Sequence, residues 1–199
     1  MIKRAGFHKL LLFATALFAV SCRTAEFGFK IIDIHGMVYD YSNRPVAHCD
    51  ISLDGKYNTL TDINGRFTLV KIPVGTYTLT GLKTGFENYV DKIIIRDRGQ
   101  IIYFRMPSQN QLLDLVDEAL TANNFPRAGE LAERAYQVDK NNIEMLFYYA
   151  TVKFRQHEYH RAIYFLETAR NLGSRDSFIE RFLTILWRLQ NVEPANQDN

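Results

Sequence analysis

The 199-residue sequence holds only two cysteines, Cys22 and Cys49, and five prolines. Two thiols are too few for a disulfide framework, so stability has to come from apolar cores. Excess charge is missing as well: 24 Lys and Arg stand against 22 Asp and Glu. Residues 1–21 carry Lys3, Arg4 and Lys9 and no acid, so without them the formal charge falls from +2 to −1. Such a near-neutral body has no long-range field to draw it onto nucleic acid. The apolar run from Leu10 to Val20 falls short of the roughly 20 residues that a membrane-spanning helix needs. Catalytic signatures are lacking too. There is no Gly-x-Ser-x-Gly, no phosphate-binding glycine loop, no Cys-x-x-Cys, and no His followed three residues later by Glu. What the chain does have, 47% hydrophobic, 13% aromatic and 23% charged residues, is the composition of a folded protein and excludes disorder and a collagen-like repeat.

The N-terminal segment reads as a targeting signal. A basic stretch to Lys9 precedes the apolar run Leu10 to Val20, and Ala19-Val20-Ser21-Cys22 follows with small residues at the cleavage position. Ending in Cys, this segment resembles the lipobox of bacterial lipoproteins, whose Cys thiol is diacylated and becomes the new N-terminus. Ala19 departs from the usual Leu of that motif. The resemblance implies a signal peptide over 1–21, lipidation at Cys22 and a tether over 22–28. It further implies a cell-envelope location, on the outer face of the cytoplasmic membrane or on the outer membrane. Two or three acyl chains hold a protein stably on a bilayer where one is marginal. Cys49 is then left without a partner. It alternates with Ile51 and Leu53 on one strand face, the pattern of a small buried hydrophobe.

From Phe29 to Met106 the chain is rich in Ile, Val, Thr, Tyr and Phe. Turn residues punctuate it every eight to twelve positions: Asn43-Arg44-Pro45, Asp54-Gly55, Asp62-Ile63-Asn64-Gly65, Pro73-Val74-Gly75, Gly85 and Arg98-Gly99. Short strands at that spacing predict an all-β sandwich or barrel. The order Gly36-Met37-Val38-Tyr39-Asp40, Arg44-Pro45-Val46, Ile51-Ser52-Leu53, Thr61 to Phe67, Ile72 to Tyr77 and Lys83-Thr84-Gly85-Phe86 resembles the carboxypeptidase regulatory-like domain. That family has a seven-stranded, transthyretin-like sandwich and is an accessory module, without the zinc-peptidase chemistry its name suggests. Asp62 and Asn64 suit a tight turn, and Gly65 suits a positive φ before the next strand. A calcium loop at Asp62-x-Asn64-Gly65 lacks its further oxygen ligands and late Glu.

After Pro107 the pattern becomes helical. Shifting the region by 34 residues superposes Leu112 on Leu146, Leu115 on Tyr149, Leu120 on Phe154, Phe125 on Tyr159, Ala128 on Ala162, Leu131 on Phe165 and Ala135 on Ala169. That period is similar to tetratricopeptide repeats, pairs of antiparallel helices. Departures stand at Val116, Ala119, Lys153, Lys140 and Ser174. Ser177 to Gln190 predicts a capping helix with Phe178, Phe182, Ile185 and Leu189 as its apolar stripe, and 191–199 reads as a tail. The expected fold is therefore α+β: a β-sandwich over 29–107, then two repeats and a capping helix over 108–190, packed against each other across the short Pro107-Ser108 boundary.

The resemblance to tetratricopeptide repeats implies a partner groove on the first helix of each repeat: Asn110, Leu113, Asp117 and Leu120, then Glu144, Phe147, Thr151 and Phe154. The bland alternative is that the four apolar members are covered by neighbouring elements. His157 and His160 share a helix start but have no third metal ligand nearby in sequence. No catalytic residue, metal or cofactor is expected. The chain reads as a non-catalytic, membrane-anchored interaction or scaffold protein of the bacterial envelope, with an envelope protein or peptide as partner and no nucleic acid. The alternative is a glycan or peptidoglycan binder that stacks sugars on aromatics of the β-sandwich.

Overall fold

The computed structural model describes residues 30–192, so the expected signal segment, the lipidation site Cys22 and the tether lie outside the described residues. Seven strands come first: β1 (Ile31–Tyr39), β2 (Asp50–Leu53), β3 (Tyr57–Leu60), β4 (Arg66–Pro73), β5 (Gly75–Leu82), β6 (Tyr89–Ile95) and β7 (Ile101–Arg105). They form a three-stranded sheet, β4-β1-β7, and a four-stranded sheet, β3-β2-β5-β6. Period-2 alternation drives this: along β1, Ile32, Ile34 and Val38 point inward while Ile31, Asp33 and His35 face out. The inner faces meet in one core that includes Ile34, Leu53, Leu69, Ile72, Leu79 and Ile95. Cys49 sits in that core, its Sγ 3.5 Å from Met106 Sδ, and burial pushes its thiol up to about 11. A thiol so held is protonated at neutral pH and behaves as a hydrophobe.

Two turns show the local chemistry. Asp62 Oδ1 accepts from the amides of Asn64 and Arg66, both at 2.8 Å, and Gly65 takes φ 73° against the Val38 carbonyl. The β1–β2 loop is organised by buried Asp40, whose carboxylate accepts from Ser42 N, Arg44 N and Arg44 Nε at 2.8 to 2.9 Å. Burial works against that charge, but the bonds from Arg44 and Ser42 prevail and hold the carboxyl below its ordinary value.

Five helices follow: α1 (Gln109–Thr121), α2 (Phe125–Val138), α3 (Ile143–Arg155), α4 (Tyr159–Asn171) and α5 (Ser177–Val192). The 34-residue period is kept to the residue at the starts of α1 and α3, and again at α2 and α4. It extends to the turns, where Asn123 (φ 55°) and His157 (φ 61°) are the left-handed residues that close α1 and α3. Asn and His tolerate that conformation better than most side chains. Ala128, Ala135, Ala162 and Ala169 are fully buried where paired helices approach.

Helix α5 departs from expectation. It buries Ile179, Leu183 and Leu186, while Phe178 is 64% and Ile185 50% exposed. Phe182 and Leu189 are half-buried. The helix carries two apolar stripes side by side, and packing against α4 selects the one the sequence reading passed over. It also runs to Val192, two residues into the expected tail, and 193–199 lie outside the described residues.

Candidate functional site

Two surfaces matter, and the first is the seam between sandwich and helices. Ser108 caps α1 and forms a capping box with Gln111: the Gln111 amide donates to Ser108 Oγ at 3.3 Å and its Oε1 accepts from Ser108 N at 3.1 Å. The same Gln111 side chain reaches back to the β1–β2 loop, donating to Ser42 Oγ at 2.9 Å. From the other side, the β5–β6 loop meets α1 through Gln109 N to Gly85 O at 3.0 Å and Glu87 N to Pro107 O at 2.9 Å. Arg134 of α2 then donates Nε and Nη2 to the two carboxylate oxygens of Glu87, both at 2.8 Å, and Nη2 to Tyr41 Oη at 3.2 Å. A bidentate fork fixes geometry as well as charge. The bonds from Glu87 raise the Arg134 pKa further, against the effect of burial, so it stays charged. A cavity of about 600 Å³ opens beside this pair, bordered by Asp50, Lys83, Phe86 and Gln137.

The second surface is the one carrying the expected groove residues. Asn110, Asp117 and Glu144 are exposed, and Leu120, Thr151, Phe147 and Phe154 are half-buried. Leu113, only 4% exposed, belongs to the helical core and is withdrawn from any groove. Phe147 and Phe154 lean edge-on against Phe182 of α5, ring centroids 6.2 and 5.4 Å away, so the capping helix occupies much of the second repeat's half of this face. Thr151 Oγ1 donates to its own helix at Phe147 O. The open part is acidic. Burial first, then the charges of Asp117, Glu144 and Asp114, raise the Tyr148 hydroxyl pKa. Sequence reading missed Asp114 and Tyr148, although Asp114 stands one helical turn before Asp117.

Behind this face, Lys153 is 7% exposed. Its Nζ donates to Gln156 Oε1 at 3.0 Å and Glu158 Oε1 at 3.1 Å and lies 5.4 Å from the Tyr149 ring. Tyr149 stacks on Phe165 at 4.3 Å and donates its hydroxyl to Glu133. That bond lowers the Glu133 pKa, and burial followed by the same bond raises that of Tyr149. The departure from the repeat pattern at Lys153 is thus a charge sealed within repeat two by Glu158 and an aromatic face, while the Tyr149–Glu133 bond ties repeat one to repeat two.

His157 Nδ1 lies 3.0 Å from Tyr159 Oη and His160 Nε2 lies 2.6 Å from Gln190 Nε2, so the two imidazoles serve different partners. Among the described residues, no group of three His, Cys, Asp or Glu is placed to hold a metal ion, and no helix is long and apolar enough to cross a membrane.

Residues 33–102 match the family described as carboxypeptidase regulatory-like domain, and residues 121–184 match anaphase-promoting complex, cyclosome, subunit 3, a tetratricopeptide-type repeat. Similar solved structures include an interface mutant of the type II cohesin–X-dockerin complex from Acetivibrio cellulolyticus, at 14% identity and TM-score 0.35, covering 42% of this chain and 71% of that one. The Bacillus anthracis TIE protein matches at 15% identity and TM-score 0.34, covering 39% of this chain and 16% of its own length. Catechol 1,2-dioxygenase from Acinetobacter sp. ADP1 matches at 8% identity and TM-score 0.33, covering 43% and 55%. No curated protein matches the sequence significantly. Both matched families are non-catalytic module types. The chain is a β-sandwich whose residues 33–102 match the carboxypeptidase regulatory-like model, followed by a helical array whose residues 121–184 match a tetratricopeptide-type model.

Proposed function

We propose that the chain is a lipid-anchored adaptor of the bacterial cell envelope. Cys22 carries the acyl chains, the sandwich is a spacer, and the helical array presents a docking face to a protein or peptide. One observation above all supports this reading. Strands β1 and β7 run parallel, from the end where the tether would enter at Ile31 to the end where the helices leave at Arg105. Nine residues of strand span about 27 Å, so a tether at one end and an array clamped at the other are held apart by the length of the sandwich. The acid rim around Tyr148 favours a cationic, partly apolar segment as the occupant of the docking face. Acyl-chain labelling of wild type against Cys22→Ala tests the anchor, with label expected only in wild type. Capture from detergent-solubilised envelope tests the face: Asp114→Asn/Asp117→Asn should weaken retention and make it insensitive to added salt. Unchanged capture would count against the docking face.

A glycan-binding reading draws on a different surface. Tyr39 and Tyr103 lie side by side on the outer face of β4-β1-β7, ring centroids 5.7 Å apart, with Arg105 bonded to the Tyr103 hydroxyl at 3.1 Å. Retention on purified peptidoglycan that disappears with Tyr103→Ala would favour it.

A further inference from the structure

The end of the sandwich where the tether enters has a chemistry of its own. Four strand termini lie there: the start of β1, the end of β4 facing it at Ile31–Pro73, and the start of β5 and end of β6 facing each other at Gly75–Ile95; β7 begins four residues further along β1, beside His35. Lys71, Arg96 and Arg98 stand at or just beyond these termini, all exposed. Among the described residues none of them is in an ion pair. The two acids of this end, Asp33 and Asp97, are engaged with backbone amides, Asp33 with Lys71 N and Asp97 with Gly99 N, both at 2.9 Å. The neighbouring β2–β3 turn adds one charge of each sign, Asp54 and Lys56. The same termini carry exposed aliphatic side chains, Ile31 at 53%, Val70 at 59% and Ile94 at 48%. Beyond the other end of the sandwich, helix α1 carries Asp114, Asp117 and Glu118 and no base.

We propose that this end of the sandwich is a membrane-contacting tip whose occupant is the surface of an anionic lipid bilayer. The proposal rests on the anchor reading. Eight residues separate Cys22 from Ile31, and a fully extended chain of that length reaches about 30 Å, so an acylated Cys22 keeps the tip within that distance of the headgroups. Cations beside a negative leaflet are attracted within a Debye length, and flanking aliphatics enter the headgroup boundary. Tip contact therefore stands the sandwich upright and turns the docking face away from the membrane, which the anchor alone would not do.

The test uses the acylated full-length chain in vesicles, with a fluorophore on Thr76→Cys near the tip or on Thr121→Cys at the far end of α1. Cys49 is fully buried and stays unlabelled. Flotation reads the anchor, and quenching by headgroup-labelled lipid reads the tip. On vesicles containing phosphatidylglycerol, quenching at position 76 should exceed that at 121 by about threefold or more, and Arg96→Glu/Arg98→Glu should remove most of the difference while the chain still floats. A chain that floats with equal quenching at both positions, or whose double variant keeps full quenching, overturns the tip and leaves the anchor standing. A chain that does not float overturns the anchor and the tip with it.

Discussion

The sandwich and the helical array reach stability by different routes. In the sandwich the contacts are long-range in sequence: β1 pairs with β4 about 35 residues away and with β7 about 65 residues away. In the array the apolar contacts are local and repeated, and the buried Lys153 is held by Gln156 and Glu158. The difference teaches where each half tolerates change. Both seal a few buried polar groups, Asp40 and Thr61 in the sandwich and Gln109, Gln111 and Lys153 in the array, so the two halves differ in the sequence range of their contacts.

The largest effect should come from truncating either core. Ile34→Ala in the sandwich and Leu146→Ala in the array each delete fully buried volume and should cost about 2 to 5 kcal/mol. Trp187, the only tryptophan, lies on α5 and reports the array alone. If the seam couples the halves, both variants shift the tryptophan transition and the circular-dichroism transition together. Separate shifts would show two independent units. Next in size is Tyr149→Phe, which keeps the stack on Phe165 and removes the bond to Glu133; denaturant unfolding should show a loss of about 1 to 2 kcal/mol. The same operation on an exposed sandwich phenol, Tyr103→Phe, should change stability by less than about 0.5 kcal/mol.

Smaller still is the seam pair. Arg134 and Glu87 are each about a quarter exposed at the side chain, so Glu87→Ala should cost no more than about 1 kcal/mol after solvent screening. Its consequence lies in orientation more than in stability. Acid should produce the mildest and most gradual change. Asp40, Glu133 and Glu158 all have carboxyls held below their ordinary values, the last by Lys153 and Arg161 against the effect of burial. A depressed carboxylate stabilises the fold above its ordinary value and loses that contribution as pH falls through the depressed one. Stability is therefore expected to be flat down to about pH 4.5 and to decline below it, with Glu158→Gln flattening the array's share of the decline.

Much of this architecture is legible in the residues. Turn chemistry at Asp62-Asn64-Gly65 and the exact recurrence of Phe125 and Tyr159, or of Ala128 and Ala162, are local signals, and local signals survive in a sequence. The seam is not legible, because Glu87 meets Arg134 across 47 positions and Gln111 meets Ser42 across 69, with no pattern linking them. Helix α5 misleads for a related reason. Phe178, Phe182, Ile185 and Leu189 form as good a stripe as Ile179, Leu183 and Leu186, and only the neighbour decides between them. Leu113 was drawn into the expected groove by repeat register, whereas Asp114 and Tyr148 declare themselves only once α1 and α3 are side by side.

The claim on which the account turns is that sandwich and array move as one rigid strut, and the distance between spin labels at Asn58→Cys and Thr121→Cys measures it directly. The account predicts one narrow distance distribution in wild type, broadened by Glu87→Ala. A broad distribution in wild type, unaffected by that substitution, would contradict it.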